Sequence, residues 1–163
     1  MKRTIAGFAL LLGVVLFVLA HRANARTDDQ AAVRALEAWR VKMVNARDVD
    51  GVMALYAPDV FAFDFIPPRQ KVGAKNYREN YTGFFSSPVT FEVTDLSITT
   101  AGDVAYGHQI QHATATFDGK PIEVTVRCSD VYRKTNGKWL IAQEHIWVPV
   151  DLDTGKADLM SKP

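Results

Sequence analysis

The chain has 163 residues, about one domain's worth, with 48% apolar and 23% charged residues. That is an ordinary globular mix rather than a disordered one. A formal net charge of +1 excludes the basic footprint that duplex nucleic acid requires, and a single cysteine excludes an internal disulfide framework or a cysteine-rich zinc site.

Met1-Lys2-Arg3 is a basic head, Ile5 to Ala20 is sixteen residues without charge, and Ala23-Asn24-Ala25 has the A-x-A form. Basic, then apolar, then small-x-small is the order of a secretory signal peptide. A membrane-spanning helix needs about 20 apolar residues. Cleavage is expected after Ala25, leaving a secreted or periplasmic chain of 138 residues. The cut removes Lys2, Arg3 and Arg22, so 16 basic residues face 18 acidic ones and the mature charge is −2. Neither nucleic acid nor, after cleavage, a membrane is an expected partner. Export places Cys128 in an oxidising compartment without an internal partner, where it reads as a buried apolar thiol.

Thr27-Asp28-Asp29-Gln30 has the form of a capping box. After it, Ala32, Leu36, Trp39 and Met43 recur at spacings of 4, 3 and 4, predicting an amphipathic helix over residues 28–46. Asp48 can cap a second short helix carrying Val52, Leu55 and Tyr56, which Pro58 stops. Val60 to Ile66 reads as a strand, with Phe61, Phe63 and Phe65 on one face and Val60, Ala62, Asp64 and Ile66 on the other. Gly73 opens a third helix, in which Tyr77, Tyr81, Phe84 and Phe85 share a side.

The rest is β. Strands are predicted over 89–99, 104–117, 122–133 and 138–148. Asp118-Gly119 and Thr135-Asn136-Gly137 mark hairpins. A polar tail from Asp151 is expected to fray. Helices segregated from an antiparallel sheet define an α+β domain. A strongly curved sheet wrapped over three helices encloses a cone-shaped cavity, the default place for a ligand.

Three stretches carry a family resemblance: ARDVDGVMALYAPDVFAFD (46–64), VGAKNYRENYTGFF (72–85) and SDVYRKTNGKWLIAQEHIWVP (129–149). Together and in this order they resemble the nuclear-transport-factor-2-like (NTF2-like) superfamily, which includes ketosteroid isomerases and SnoaL-like polyketide cyclases. The likeness covers residues 28–150 and implies one domain over 26–150, between a leader (1–25) and a flexible tail (151–163). It also implies an NTF2-like cone and a homodimer. In steroid isomerases the catalytic base lies eight residues after the tyrosine of an L-Y-A run; from Tyr56 that is Asp64. In the cyclases an aspartate lies seven residues before the hairpin glycine; from Gly137 that is Asp130. The isomerases' oxyanion tyrosine on helix one falls near Trp39 or Arg40, and neither is tyrosine.

The chemistry this implies is cofactor-free proton transfer on a small, apolar, carbonyl-bearing molecule. Asp64 among Val60, Ala62 and Ile66 would be a desolvated base. A neutral Asp130, His108, His145, Tyr56 or the Trp39 indole could donate to the oxyanion. Three of these have a structural alternative: Asp64 bonded to a backbone N–H or an arginine, Asp130 an exposed cross-strand partner of a lysine or arginine, Trp39 in the core. Arg127 either pairs with a carboxylate in the sheet or binds an anionic ligand. On a regular last strand only one of Glu144 and His145 faces the cavity; the register favours Glu144, and a bulge would exchange them. His108 and His112 on a strand are about 13 Å apart, too far to share an ion, and no metal is expected. The alternative to an enzyme of the isomerase, cyclase or dehydratase type is a non-catalytic ligand-binding or dimerising assembly domain on the same scaffold.

Overall fold

The computed structural model describes residues 26–117 and 119–160. The expected leader lies outside the described residues. Among those residues no helix is long and apolar enough to cross a membrane.

The first helix, α1, spans 26–46. Its buried face is Val33, Leu36, Glu37, Arg40, Met43 and Val44, a three-and-four spacing that makes one stripe. The stripe is rotated from the expected one. Leu36 and Met43 lie on it, but Ala32 and Trp39 are exposed, Trp39 at 47%. A hydrophobicity pattern misses this face because Glu37 and Arg40 occupy two of its positions, and charged residues are rarely buried unless paired.

Asp48 caps α2 (Val49–Met53) by accepting from the Gly51 N–H at 2.9 Å. The second helix is shorter than expected, because Tyr56 already belongs to β1 (Tyr56–Phe63). The Ile141 N–H donates to the Leu55 carbonyl at 2.8 Å, and Tyr56 pairs with Ile141. Pro58 does not break β1, because it lies where the ladder to the last strand is irregular and no amide donor is needed. β1 ends at Phe63, before Asp64, and β2 (Gln70–Val72) returns beside it. Gly73, at φ 82°, turns the chain into α3 (Ala74–Phe84) and donates its N–H to the Val60 carbonyl at 2.8 Å.

Four strands complete the sheet: β3 (Thr90–Ala101), β4 (Val104–Phe117), β5 (Lys120–Thr135) and β6 (Lys138–Trp147). At the last hairpin Asn136 and Gly137 both take positive φ, 51° and 77°, as a tight Asn-Gly turn requires. The strand order is β2-β1-β6-β5-β4-β3. The expected antiparallel meander is present in β3–β6, but the sheet is mixed, because β1 runs parallel to β6. A parallel pair needs a long connection, and everything from β2 through β5 supplies it. The helices pack on the inner face of this curved sheet around Val33, Val44, Val52, Val60, Tyr77, Tyr132 and Ile141. The result is an α+β cone.

The tail expected to fray carries hydrogen bonds. Val150 bridges Ala157, and the Thr125 N–H donates to the Leu159 carbonyl at 2.8 Å.

Candidate functional site

The site begins with an irregularity in β6. Val131 pairs with Gln143 and Tyr132 with Ile141, so Ala142 is an extra residue on that strand. A one-residue bulge switches which side chains face inward. Upstream of it Trp139 and Ile141 are buried; downstream Glu144 is 1% exposed, while His145 points out. Ile141 and Glu144 thus face the same interior three residues apart, which a regular strand forbids.

Glu144 is buried because its oxygens are fully engaged. Arg40 Nη1 donates to Oε1 at 2.8 Å. Tyr56 donates to Oε2 at 2.8 Å, and the Tyr77 hydroxyl donates to the same oxygen. The Tyr56 proton is therefore committed to Glu144, so Tyr81 is the donor in the 2.8 Å contact between the two hydroxyls. Behind Glu144, Arg40 Nη2 lies 2.7 Å from Glu37 and 3.3 Å from Asp130. Gln109 Nε2 donates to Asp130 at 2.8 Å, and Tyr132 donates to Glu37 at 2.8 Å. A continuous polar network thus links α1, α3, β1, β4, β5 and β6 through the core.

Three carboxyl groups lie against one guanidinium, and Asp130 is held protonated among them. Burial, opposed by Arg40 and reinforced by Glu144 and Glu37, pushes Asp130 up to about 8. Burial works against the charge on Arg40, but Glu37, Asp130 and Glu144 outweigh it and hold the guanidinium well above its ordinary value. Burial also raises Tyr56, Tyr77, Tyr81 and Tyr132, so these hydroxyls stay protonated donors. The Cys128 thiol, held up by burial and by Asp130, stays protonated too.

Asp130 makes stability depend on pH. The folded chain keeps its proton up to about pH 8, whereas the unfolded chain loses it near 3.8. The folded state therefore holds the extra proton between these values, and stability falls as pH rises across that window. An asparagine with its oxygen in the Oδ2 position keeps the donors from Arg40 and Gln109. Asp130→Asn is expected to flatten the fall in Tm between about pH 5 and pH 8. Melting curves across that range check this; an unchanged slope would refute it.

Cys128, Asp130 and Glu144 bring their ligand atoms within 4.8 Å of one another. Arg40 already lies against both carboxylates, so the cationic position among them is taken by the guanidinium.

Above the network a cavity of about 660 Å³ opens between α3 and the sheet. Its walls include Phe65, Phe84, Phe91, Ala113, Ala115 and Ile146, and its polar lining includes Asp64, Asn80, Tyr81, Gln111 and Glu144. Asp64 sits just past the end of β1. Its Oδ2 lies 3.2 Å from Lys71 Nζ and accepts from Asn80 Nδ2 at 2.9 Å. It is therefore an ion-paired acid rather than the lone, apolar-lined one expected. The reason is β2, which places Lys71 opposite Ala62.

Of the residues singled out from sequence, Tyr56, Asp130 and Glu144 meet around Arg40, while Asp64 lies across the cavity. Asp130 does not line the cavity; it is buried behind Glu144. His108, Arg127 and His145 are exposed on the outer face of the sheet, where Arg127 stacks on Trp147 at 4.7 Å and His145 lies 5.6 Å from Phe63. Trp39 is on the exposed side of α1, with Lys42 over its ring at 4.7 Å. Sequence reasoning missed Glu37, Arg40, Gln109, Gln111 and Tyr132. The Glu37–Arg40 spacing, an acid and a base on an otherwise apolar helical stripe, was the available signal for the first two.

A cone of three helices on a mixed sheet is a fold this chain shares with NTF2-like proteins. The SnoaL-like domain family matches residues 33–151, and the chain belongs to that family. Among solved structures, an NTF2-like protein of unknown function from Pseudomonas putida KT2440 is 29% identical, with a TM-score of 0.75 over 84% of this chain and 98% of that one. A protein of the NTF2-like family from Streptomyces avermitilis, provisionally named a dehydratase, is 15% identical, with a TM-score of 0.65 over 74% of this chain and 96% of that one. At that identity the likeness shows the fold alone. No curated protein matches the chain.

Proposed function

We propose that this SnoaL-like protein binds a small, predominantly apolar molecule in the cavity between α3 and the sheet, without a cofactor. The carrying observation is that both acids deepest in the lining are already partnered, Glu144 by Arg40, Tyr56 and Tyr77, and Asp64 by Lys71 and Asn80. A general base needs a lone pair free to reach the proton it removes. Binding needs only the apolar walls and a few placed polar groups. The proposal includes export after cleavage at Ala25, supported by the order of charge and hydropathy at the N-terminus. It also includes a homodimer through the outer face of the sheet, where Tyr106 and Trp147 are 57% and 39% exposed.

One observation favours a second reading, proton transfer by Asp64 in isomerase or dehydratase chemistry. Among the described residues its Oδ1 accepts only from the Ile66 N–H, at 3.4 Å, which leaves that oxygen a lone pair for a substrate proton. A panel of apolar ketones and enols, tested by thermal shift and for product formation on the 26–163 chain and its Asp64→Asn form, separates the two. Stabilisation of both proteins without turnover is the expected result. Turnover that disappears in Asp64→Asn would establish the second reading, and no stabilisation by any compound would overturn the first.

A further inference from the structure

We propose that the Gln111 amide selects the ligand: a neutral, mostly apolar molecule carrying one carbonyl or hydroxyl oxygen, in preference to a carboxylate or an amine. The inference rests on the cavity reading above and adds the chemical class of the occupant.

Gln111 lies on the inward row of β4, which reads Ala105, Gly107, Gln109, Gln111, Ala113, Ala115. Ala113 and Ala115 at one end line the cavity, Ala105 at the other lies in the core, and the two amides stand between. Gln109 is engaged by Asp130 and Glu37. Gln111 is different. It is 5% exposed, it lines the cavity, and its Nε2 is buried with no hydrogen-bond partner. Buried amides are nearly always paired, because an unmade hydrogen bond forfeits the hydration of the group. A side chain held in that condition against an open cavity is suited to a ligand that completes it.

The charge of the lining sets the rest. Among the described residues it includes four acids, Asp64, Glu79, Glu123 and Glu144, and no lysine, arginine or histidine. A carboxylate there would lose its hydration and meet like charge. The two deep acids already hold their cations, Lys71 and Arg40, and an ammonium group has no lone pair with which to accept from the Gln111 amide. What remains is an uncharged oxygen. A neutral amide–oxygen hydrogen bond of this kind favours the oxygen-bearing ligand by about three- to tenfold.

The test uses four probes of one shape: acetonaphthone, its oxygen-free isostere ethylnaphthalene, naphthoate and naphthylmethylamine. Each is titrated into the 26–163 chain and into Gln111→Met, which keeps the side-chain length and removes the amide. Unchanged or raised Tm in Gln111→Met shows that the variant is folded, since the lost Nε2 donor had no partner. The ketone is expected to bind the unmodified chain about three- to tenfold more tightly than the hydrocarbon. That gap is expected to vanish in Gln111→Met through weaker ketone binding alone. Naphthoate and naphthylmethylamine are expected to bind more weakly than the ketone. Equal binding of ketone and hydrocarbon, a ketone affinity unmoved in Gln111→Met, or tighter binding of either charged probe would overturn the inference while leaving the cavity reading intact. No binding by any of the four would overturn the cavity reading and this inference with it.

Discussion

Replacing Arg40 with methionine is expected to cost about 3–5 kcal/mol, the usual result of removing one partner from a buried ionic cluster. Arg40 is 1% exposed and is the only cation against Glu37, Asp130 and Glu144 among the described residues. Methionine fills similar space but leaves three carboxyl groups facing one another in the core. Because those groups then take up protons more readily when folded, the deficit is expected to shrink as pH falls. Arg40→Lys should lie between, since a single ammonium cannot reproduce the guanidinium fork that reaches Glu144 with one nitrogen and Glu37 and Asp130 with the other. Urea unfolding at pH 8 and pH 5 measures all three proteins. A loss for Arg40→Met within about 0.5 kcal/mol, the range of an ordinary surface substitution, would mean that the network does not organise the core.

The second large effect concerns the cavity. Ala113 sits on its wall between Phe91 of β3 and Val124 of β5. In Ala113→Phe the new ring is expected to enter the cavity and exclude the ligand. Displacing three or four buried ligand carbons at about 0.8 kcal/mol each lowers affinity roughly a hundredfold. Stability should stay within about 1 kcal/mol of the parent chain, because the ring enters open space rather than packed core. Titration of acetonaphthone into parent and variant, each checked by its melting curve, gives the answer. Undiminished binding in a folded variant would place the ligand elsewhere.

The fold was legible in the sequence wherever one rule acted alone. β4 was predicted at its observed bounds, because Asp118-Gly119 marks the turn that ends it. The last hairpin was legible because Asn136-Gly137 accepts positive φ at both positions. The third helix followed from its aromatic spacing. The parallel β1–β6 pairing was not legible, since it depends on contacts between segments about 80 residues apart in the chain. The bulge at Ala142 was not legible either: sequence left Glu144 and His145 as alternatives, and the extra residue decides which faces inward.

The site was harder to read for a physical reason. Pattern reading places apolar residues inside and charges outside, and this core inverts that rule at Glu37, Arg40, Asp130 and Glu144. Each charge is tolerated only because the others are present, so none looks buried when taken singly. Asp130, Tyr56 and Glu144 were visible as candidates through family spacing and strand parity; the guanidinium that joins them was not. Asp64 was expected inside a strand running to Ile66, whereas β1 ends at Phe63, and the lysine that pairs with it arrives on β2, a three-residue strand too short to leave a pattern.

The most direct test is nuclear Overhauser contact between acetonaphthone and the methyl groups of the isotope-labelled 26–163 chain. The expected result is a set of ligand contacts to the Ala113, Ala115 and Ile146 methyls, with a shifted Gln111 side-chain amide resonance. Contacts confined to the outer face of the sheet around Tyr106 and Trp147, or no contacts at all, would contradict the account.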